Sequence, residues 1–477
     1  MIPLKLTEIA AVTGGAVHDA PGPDICVTGP AVCDSRQAAP GGMFAAVPGA
    51  RVDGHDFAAQ AYAAGAACVL ASRPVGGPAV VVPDVIAALG TLARHVLSHA
   101  TEAIVVALTG SAGKTTTKDL LSQVLARHGT TVATPGSFNT EIGLPLTVLR
   151  AGQATRYLVL EMGTRHIGDI RYLTSLTPPQ VGIVLNVGSA HLGEFGSREA
   201  IGQAKAELVQ ALPDAARGGI AVLNADDDIV AGMARYTSAE IITYGTGRAA
   251  VQAAGIRRHR GRAAFTLRTP AMTAPVALRL LGAHQVHNAL AAAAAAHALG
   301  MDTALIAEAL SAAEPISPGR LQVLHCADGI TIINDAFNAN AESMAAGLRS
   351  FAAYSEDRRM VAILGEMREL GTTAQAAHYA IGQLVGELGI STLITLGDGH
   401  VRELALAAQS GISPPLTDTA DTPDALRSKL PQLLKPGDVV FIKASRSVGL
   451  ESFADTLKLD LERQEPAPVS GPPALAS

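Results

Sequence analysis

The segment Thr109-Gly110-Ser111-Ala112-Gly113-Lys114-Thr115-Thr116 limits what this chain can fold into more than any other. An apolar run, Ala103–Leu108, precedes it. Behind it, Leu120, Leu121, Val124 and Leu125 share one side of a helical pattern that Gly129 stops. Strand, glycine-rich turn and helix together aim backbone N–H groups and a helix N-terminus at phosphate oxygens. In that setting Lys114 neutralises β- and γ-phosphate charge, and the Thr115 hydroxyl is a ligand for Mg²⁺. The long form of the loop has a glycine where this chain has Leu108, so the spacing is the shorter TGxxGKT form.

A chain of 477 residues exceeds one ordinary core and implies two to four domains. Three blocks are expected, 1–100, 101–314 and 315–464, with a Pro-rich tail at 465–477 read as disordered. The first alternates short apolar runs (Ala67–Ala71, Ala79–Val82) with turns and ends in a helix-like stretch, Asp84–His99. The second offers Tyr157–Leu160, Val181–Val187 and Ile220–Leu223 as strands between amphipathic stretches. The third repeats the alternation with Ile330–Ile333, Met360–Leu364, Leu393–Leu396 and Val439–Ile442, after a turn-rich linker at Glu314–Gly319. The expected class is α/β, with parallel sheets and crossover helices.

Thirty-six basic residues against 42 acidic ones give a net charge of −6, a mildly acidic balance that argues against a nucleic-acid-binding or membrane-surface protein, which would want a basic face. Cys26, Cys33, Cys68 and Cys326 have neither CxxC pairing nor a histidine at ligand spacing, so they read as free thiols. The first residues have no basic start followed by a long apolar run, and so do not read as a signal peptide. The most apolar helical stretch is Ala289–Ala296, far short of the roughly 20 residues a membrane span needs. The expectation is a soluble, cytoplasmic protein.

Ligands of open parallel sheets lie beyond the carboxyl ends of strands. Tyr157–Leu160 runs into Glu161-Met162-Gly163; that acid can hold Mg²⁺, or cap a helix or face solvent. Val181–Val187 runs into Gly188-Ser189-Ala190-His191, where the histidine is a second metal ligand or a structural hydrogen-bonder. In the helix Ser197–Leu212, with Ser197 as N-cap, Lys205 falls on the apolar stripe of Ile201, Ala204, Leu208, Val209 and Leu212. Periodicity leaves two readings: a stem that snorkels to water, or a desolvated amine that is modified or paired with an anion.

TGSAGKTTTKDL, LEMG, NVGSAHLGEFGS with AKAEL, and HNALAAAA at 287–294 together resemble the Mur ligases of peptidoglycan synthesis, ATP-dependent amide-forming enzymes of three domains. The resemblance spans about residues 30–450. CDSRQAAPGGMFAAVPGARVDGHDF (33–57) looks like the N-terminal α/β uridine-nucleotide domain. PGRLQ (318–322), INDAFNANAESM (333–344), LGEMRELG (364–371) and KASRSVGLE (443–451) look like the branch that joins D-Ala-D-Ala to UDP-N-acetylmuramoyl-tripeptide. Two small departures stand out: Ala206 where the branch often has Gly, and Ser137 and Thr140 where Asn is frequent.

The resemblance implies a central P-loop ATPase domain and a C-terminal Rossmann-like domain. It gives the ATP phosphates to Gly110, Ser111, Ala112, Gly113, Lys114, Thr115 and Thr116. One Mg²⁺ goes to Thr115 and Glu161 and a second to His191, with Lys205 carbamoylated as an anionic ligand. Asn288 and Arg320 contact the nucleotide, and Asp335 and Asn338 its adenosine end. Asn139 and Thr140 face substrate in the central domain, Ser35 and Arg36 lie near the uridine nucleotide, and Lys443, Ser445 and Arg446 meet the dipeptide. The expected partners are those two substrates, with no nucleic acid and no membrane span, for a chain acting as a monomer. The implied chemistry is transfer of the γ-phosphoryl group to a carboxylate, then attack by an amine on the acyl phosphate. Three rivals are a folylpolyglutamate-synthase-like ligase, a relative that generally lacks the first domain; a nucleotide-dependent switch or scaffold, which has no need of Glu161, His191 and Lys205 together; and a catalytically idle, ligase-like regulator, against which intact Lys114 and Lys205 speak.

Overall fold

A computed structural model describes residues 2–22, 24–49, 52–188, 192–397, 399–411 and 413–463. The chain divides into two compact units. The first holds the residues up to Arg257, Ala264–Arg279 and His284–Ser317; the second holds Arg258–Ala263, Leu280–Ala283 and Pro318 onward. The division falls after Ser317 because Ser317 N–H donates to Asp119 Oδ2 at 3.2 Å and Glu314 N–H to Gln123 Oε1 at 3.0 Å. Those two contacts tie the linker back to the helix behind the phosphate loop.

In the first unit, a five-stranded sheet is built from β1 (Ala16–His18), β2 (Ala31–Val32), β3 (Met43–Ala45), β4 (Cys68–Ala71) and β5 (Ala79–Val81), in the order β1-β5-β4-β3-β2. All its neighbours are parallel except β1, which runs against β5. Helix α1 (Val85–His99) closes its core with Leu89, Leu92 and Val96; Asp84 caps the helix by accepting from Ile86 and Ala87 N–H.

The second sheet of this unit has nine strands. Seven pair in parallel: β6 (Ile104–Thr109), β7 (Thr131–Ala133), β8 (Tyr157–Glu161), β9 (Val181–Val184), β10 (Ile220–Asn224), β11 (Glu240–Gly245) and β12 (Val251–His259), the last through Tyr244↔Val251 and Gly245↔Gln252. Then come β13 (Arg262–Arg268) and β14 (Thr273–Leu281). The order is β14-β13-β12-β11-β10-β9-β6-β8-β7. Helices α2 (Lys114–Ala126), α3 (Arg198–Gln210) and α4 (Gln285–Ala298) cover the parallel part. Residues Ala289–Ala296 are all wholly buried in α4, where small side chains let the helix lie close to α2, β10 and β11.

Two expectations need correction here. The central sheet is not purely parallel, because β12, β13 and β14 are joined by two and four residues, too few for a parallel crossover. The strand expected over Val181–Val187 stops at Val184, because Asn186 turns to hold the phosphate loop.

The second unit carries β15 (Gln322–His325), β16 (Thr331–Asn334), β17 (Met360–Gly365), β18 (Thr392–Leu396), β19 (Leu416–Ala420) and β20 (Val439–Lys443), in the order β15-β16-β20-β17-β18-β19. Only β15 is antiparallel to its neighbour. Helices α5 (Ala341–Ser355), α6 (Ala374–Glu387) and α7 (Val401–Gln409) bury Leu348, Phe351, Val385 and Leu404 on one face. Helices α8 (Pro423–Leu433) and α9 (Phe453–Arg463) bury Leu426, Leu430 and Leu457 on the other. A sheet covered on both faces accounts for the near-continuous apolar strands. The tail expected at 465–477 lies outside the described residues. Among the described residues, no helix is long and apolar enough to cross a membrane.

Candidate active site

Strand β6 sits between β8 and β9, so the strand order reverses at its carboxyl end, where the glycine-rich loop emerges. Gly113 has φ +80°, and a Cβ there would collide with Asn288 Oδ1; only glycine closes this turn onto α2. The loop is clamped from the β9 side. Ser111 N–H donates to Asn186 O at 3.1 Å and Ala112 N–H to Asn186 Oδ1 at 2.8 Å, while Asn186 Nδ2 donates back to Ala112 O at 3.0 Å. Gly188 N–H donates to Ser111 Oγ at 2.9 Å. Lys114 Nζ donates to Gly110 O at 2.8 Å, and the buried Thr115 hydroxyl lies 2.9 Å from that of Ser137. Thr116 is half-buried on the first turn of α2.

Glu161 ends β8 opposite Leu108 and is 1% exposed. It caps no helix and does not face solvent. Its Oε1 accepts from Asn139 Nδ2 at 2.7 Å, whereas its buried Oε2 has no hydrogen-bond partner among the described residues. Gly163 permits this approach, because a Cβ there would stand 2.9 Å from Asn139 Oδ1. Thr140 is exposed, and its carbonyl starts the short helix Gly143–Val148.

Lys205 lies on α3, which Ser197 caps by accepting from Ala200 N–H at 3.1 Å. The side chain is 4% exposed, so it does not snorkel. Among the described residues no hydrogen bond or ion pair holds it, and Glu207 two residues on is taken by Gly168 and Arg171. Burial pulls its pKa well below that of an ordinary lysine, and the nearby Lys114 ammonium adds to the fall. Such an amine is neutral and nucleophilic over a wider pH range. The expected ligand His191 lies outside the described residues. A buried carboxylate oxygen with no donor among the described residues and a threonine hydroxyl at the loop are oxygen ligands of the kind a hard divalent cation takes; a bare amine is not, and Lys205 fits such an ion only as an oxygen-bearing derivative.

Asn288 is buried on α4, where its Nδ2 donates to Gln285 Oε1 at 2.8 Å. Next to it His287 reaches Asp226 Oδ2 at 2.9 Å. Burial raises Asp226, but bonds from Thr246 N–H and Oγ1, His287 and Gly247 N–H outweigh it and bring the carboxyl to about 2.

In the second unit the expected residues gather at the carboxyl ends of the adjacent strands β16, β20 and β17. Lys443 Nζ donates to Asp335 Oδ2 at 2.6 Å and to Asn338 O at 2.9 Å, and Leu321 N–H donates to Asp335 Oδ1 at 3.2 Å. Burial lowers the Lys443 pKa against the opposing pull of Asp335. Ser445 Oγ donates to Ala339 O at 3.2 Å, and Arg446 N–H lies 3.4 Å from Asn338 Oδ1. Arg320 and Arg446 stack on Phe337, at 4.1 and 5.4 Å from the ring centre.

In the N-terminal segment, Ser35 is buried and its Oγ donates to Gln60 Oε1 at 2.9 Å. Arg36 forks onto Asp34 (Nη2 to Oδ2, 2.6 Å) and holds that carboxyl below its usual range. Two residues outside the expected set matter. Asn186 shapes the loop, and buried His55 bridges Asp53, at 2.5 Å from Nδ1, to Ser72 N–H, at 2.9 Å from Nε2. The available signals were an Asn just past a strand, and a lone His flanked by acids.

Three family models match: the Mur ligase family catalytic domain over residues 32–96, the Mur ligase middle domain over 108–296, and the Mur ligase glutamate ligase domain over 319–446. The UDP-N-acetylmuramoyl-tripeptide–D-alanyl-D-alanine ligase of Mycobacterium tuberculosis is 46% identical over 506 aligned positions, covering 96% of this chain and 98% of the relative. The enzyme of the same description from Escherichia coli is 34% identical, covering 96% and 99%. A crystal structure of MurF from Acinetobacter baumannii superposes with a TM-score of 0.81 at 32% identity, covering 96% and 99%. That of MurF from Thermotoga maritima in complex with ADP gives 0.76 at 29%, covering 92% and 99%.

Proposed function

The chain belongs to the Mur ligase family, and from that premise we propose that it joins D-alanyl-D-alanine to UDP-N-acetylmuramoyl-tripeptide at the expense of ATP. One observation carries the reading. Glu161 Oε2 is buried without a hydrogen-bond partner among the described residues, and the Lys205 amine is buried with its pKa pulled down by burial and by the nearby Lys114 of a loop already clamped by Asn186. A buried lone polar group costs free energy, and a structure keeps it where a ligand completes it.

The reading takes three domains, over 1–100, 101–314 and 315–464. Gly110 to Thr116 hold the triphosphate, and Lys114 leaves Gly110 O to neutralise the transferring phosphoryl charge. Thr115, Glu161, His191 and a carbamate on Lys205 would hold two Mg²⁺. When bound, the ions offset repulsion between ATP and the substrate carboxylate. The carbamate forms when the neutral Lys205 amine attacks CO₂ and releases a proton, so burial that depresses its pKa favours the reaction. Asn139 and Thr140 face the tripeptide, and Ser35 and Arg36 the uridine nucleotide. Asn288, Arg320, Asp335 and Asn338 serve the nucleotide, and Lys443, Ser445 and Arg446 the dipeptide.

A carboxylate is a poor electrophile because its leaving group would be oxide. Phosphorylation supplies a leaving group. The dipeptide amine then adds to the carbonyl, the tetrahedral intermediate expels phosphate, and the amine proton passes to a base. The test is phosphate release from ATP with UDP-N-acetylmuramoyl-tripeptide, with and without D-Ala-D-Ala. Release that requires both, with the pentapeptide product seen by mass spectrometry, supports the reading; release indifferent to either substrate contradicts it.

A further inference from the structure

The segment 366–370, running on from β17, has no helix or strand of its own, yet it is fixed. Glu366 O accepts from Ser445 N–H at 3.0 Å, and Arg368 N–H donates to Ser445 Oγ at 2.8 Å. Both bonds grip the residue two positions after Lys443. Glu369 sits at φ +63°, a strained conformation that persists only when its neighbours over-determine it. Behind the segment stands His378, one turn into α6 and wholly buried. Its Nδ1 lies 2.8 Å from Ala374 O, a group that can only accept, so the proton sits on Nδ1. Nε2 is therefore a lone pair, and it accepts from Met367 N–H at 3.0 Å. Met367 lies between the two residues that grip Ser445.

We infer that His378 is a positioning residue: its neutral Nδ1–H tautomer pins Met367, and through Glu366 and Arg368 sets Ser445 where the incoming dipeptide docks. This rests on the assignment of Lys443, Ser445 and Arg446 to the dipeptide. A protonated ring has no lone pair for Met367 and would release the segment. Burial keeps the ring neutral by lowering its pKa; the charged or titratable groups facing it are His400, stacked at 5.6 Å between ring centres, which lowers it further, and Glu366, which opposes.

Two substitutions separate positioning from bulk packing. His378→Gln places an oxygen where Nε2 accepts, and His378→Asn restores only the Nδ1 side. Steady-state kinetics of the full chain should give His378→Asn a KM for D-Ala-D-Ala raised about tenfold, the worth of one hydrogen bond, with KM for ATP within about twofold. His378→Gln should stay within about threefold on both. In the unmodified chain KM for the dipeptide should rise as pH falls through the acid range, and His378→Gln should abolish that limb. If His378→Asn fails to fold, the pH profile of His378→Gln still decides. Equal KM values in both variants, or a lowered Tm with KM for the dipeptide unchanged, would overturn the inference. A wild-type chain that ligates but not with D-Ala-D-Ala would overturn the parent assignment instead, and this inference with it.

Discussion

Two lysines are buried in this molecule at sites read as functional, and they are held in opposite ways. Lys443, 2% exposed, meets Asp335 at 2.6 Å and two backbone carbonyls. Lys205, 4% exposed, meets no partner among the described residues. The first is an ion pair completed within the chain, between the loops after β16 and β20 that we assign to nucleotide and dipeptide. The second is left incomplete by the described residues, as is Glu161 Oε2. The contrast separates an amine that the chain itself pairs before any ligand arrives from one that it leaves for a ligand.

The largest effect should come at the incomplete site. Lys114→Ala is expected to lower kcat by at least about 10²–10³-fold, the usual cost of losing one charge-stabilising donor, while leaving uridine-nucleotide binding intact. Calorimetric titration with the uridine substrate checks the second half. Lys205→Ala should lose a comparable share of activity and regain part of it in added short-chain carboxylates, which replace the carbamate. Full activity without them would erase the distinction between the two lysines.

Stability should move in opposite senses. Asp335→Asn strands Lys443 and should cost about 3–5 kcal/mol in denaturant unfolding. In CO₂-free, metal-free buffer Lys205→Met removes a buried amine for which the described residues supply no partner, and should be neutral or stabilising by about 1–3 kcal/mol. A destabilised Lys205→Met chain would mean that the amine already has a partner. The smallest effect concerns Asp226, whose carboxyl is held at about 2. Its folded pKa is depressed, so its contribution is present above the unfolded value near 3.8 and is lost as pH falls through about 2. Acid titration of the chain against Asp226→Asn should show a gap of about 1–2 kcal/mol closing over that window.

The phosphate loop was legible because its chemistry is local: a strand, two glycines and a helix start within a dozen residues. Lys205 was legible as inward-facing from helical spacing alone, although spacing could not say whether its tip reached water. The Asn186 clamp spans 74 positions to Ala112 and the Lys443–Asp335 pair spans 108 to close, so no local pattern marks either. Strands β12 to β14 escaped notice because their tips, rich in arginine around Arg257–Arg262, carry a polar rather than an apolar signature. The role of His378 depends on a backbone N–H eleven positions away in a segment without regular structure.

The central claim is that the buried amine of Lys205 becomes an anionic ligand. ¹³C NMR of the full chain equilibrated with ¹³C-bicarbonate tests it directly. A carbamate resonance present in the unmodified chain at stoichiometric intensity and absent from Lys205→Ala is the predicted result. A spectrum without that resonance in the active, unmodified chain would contradict the account.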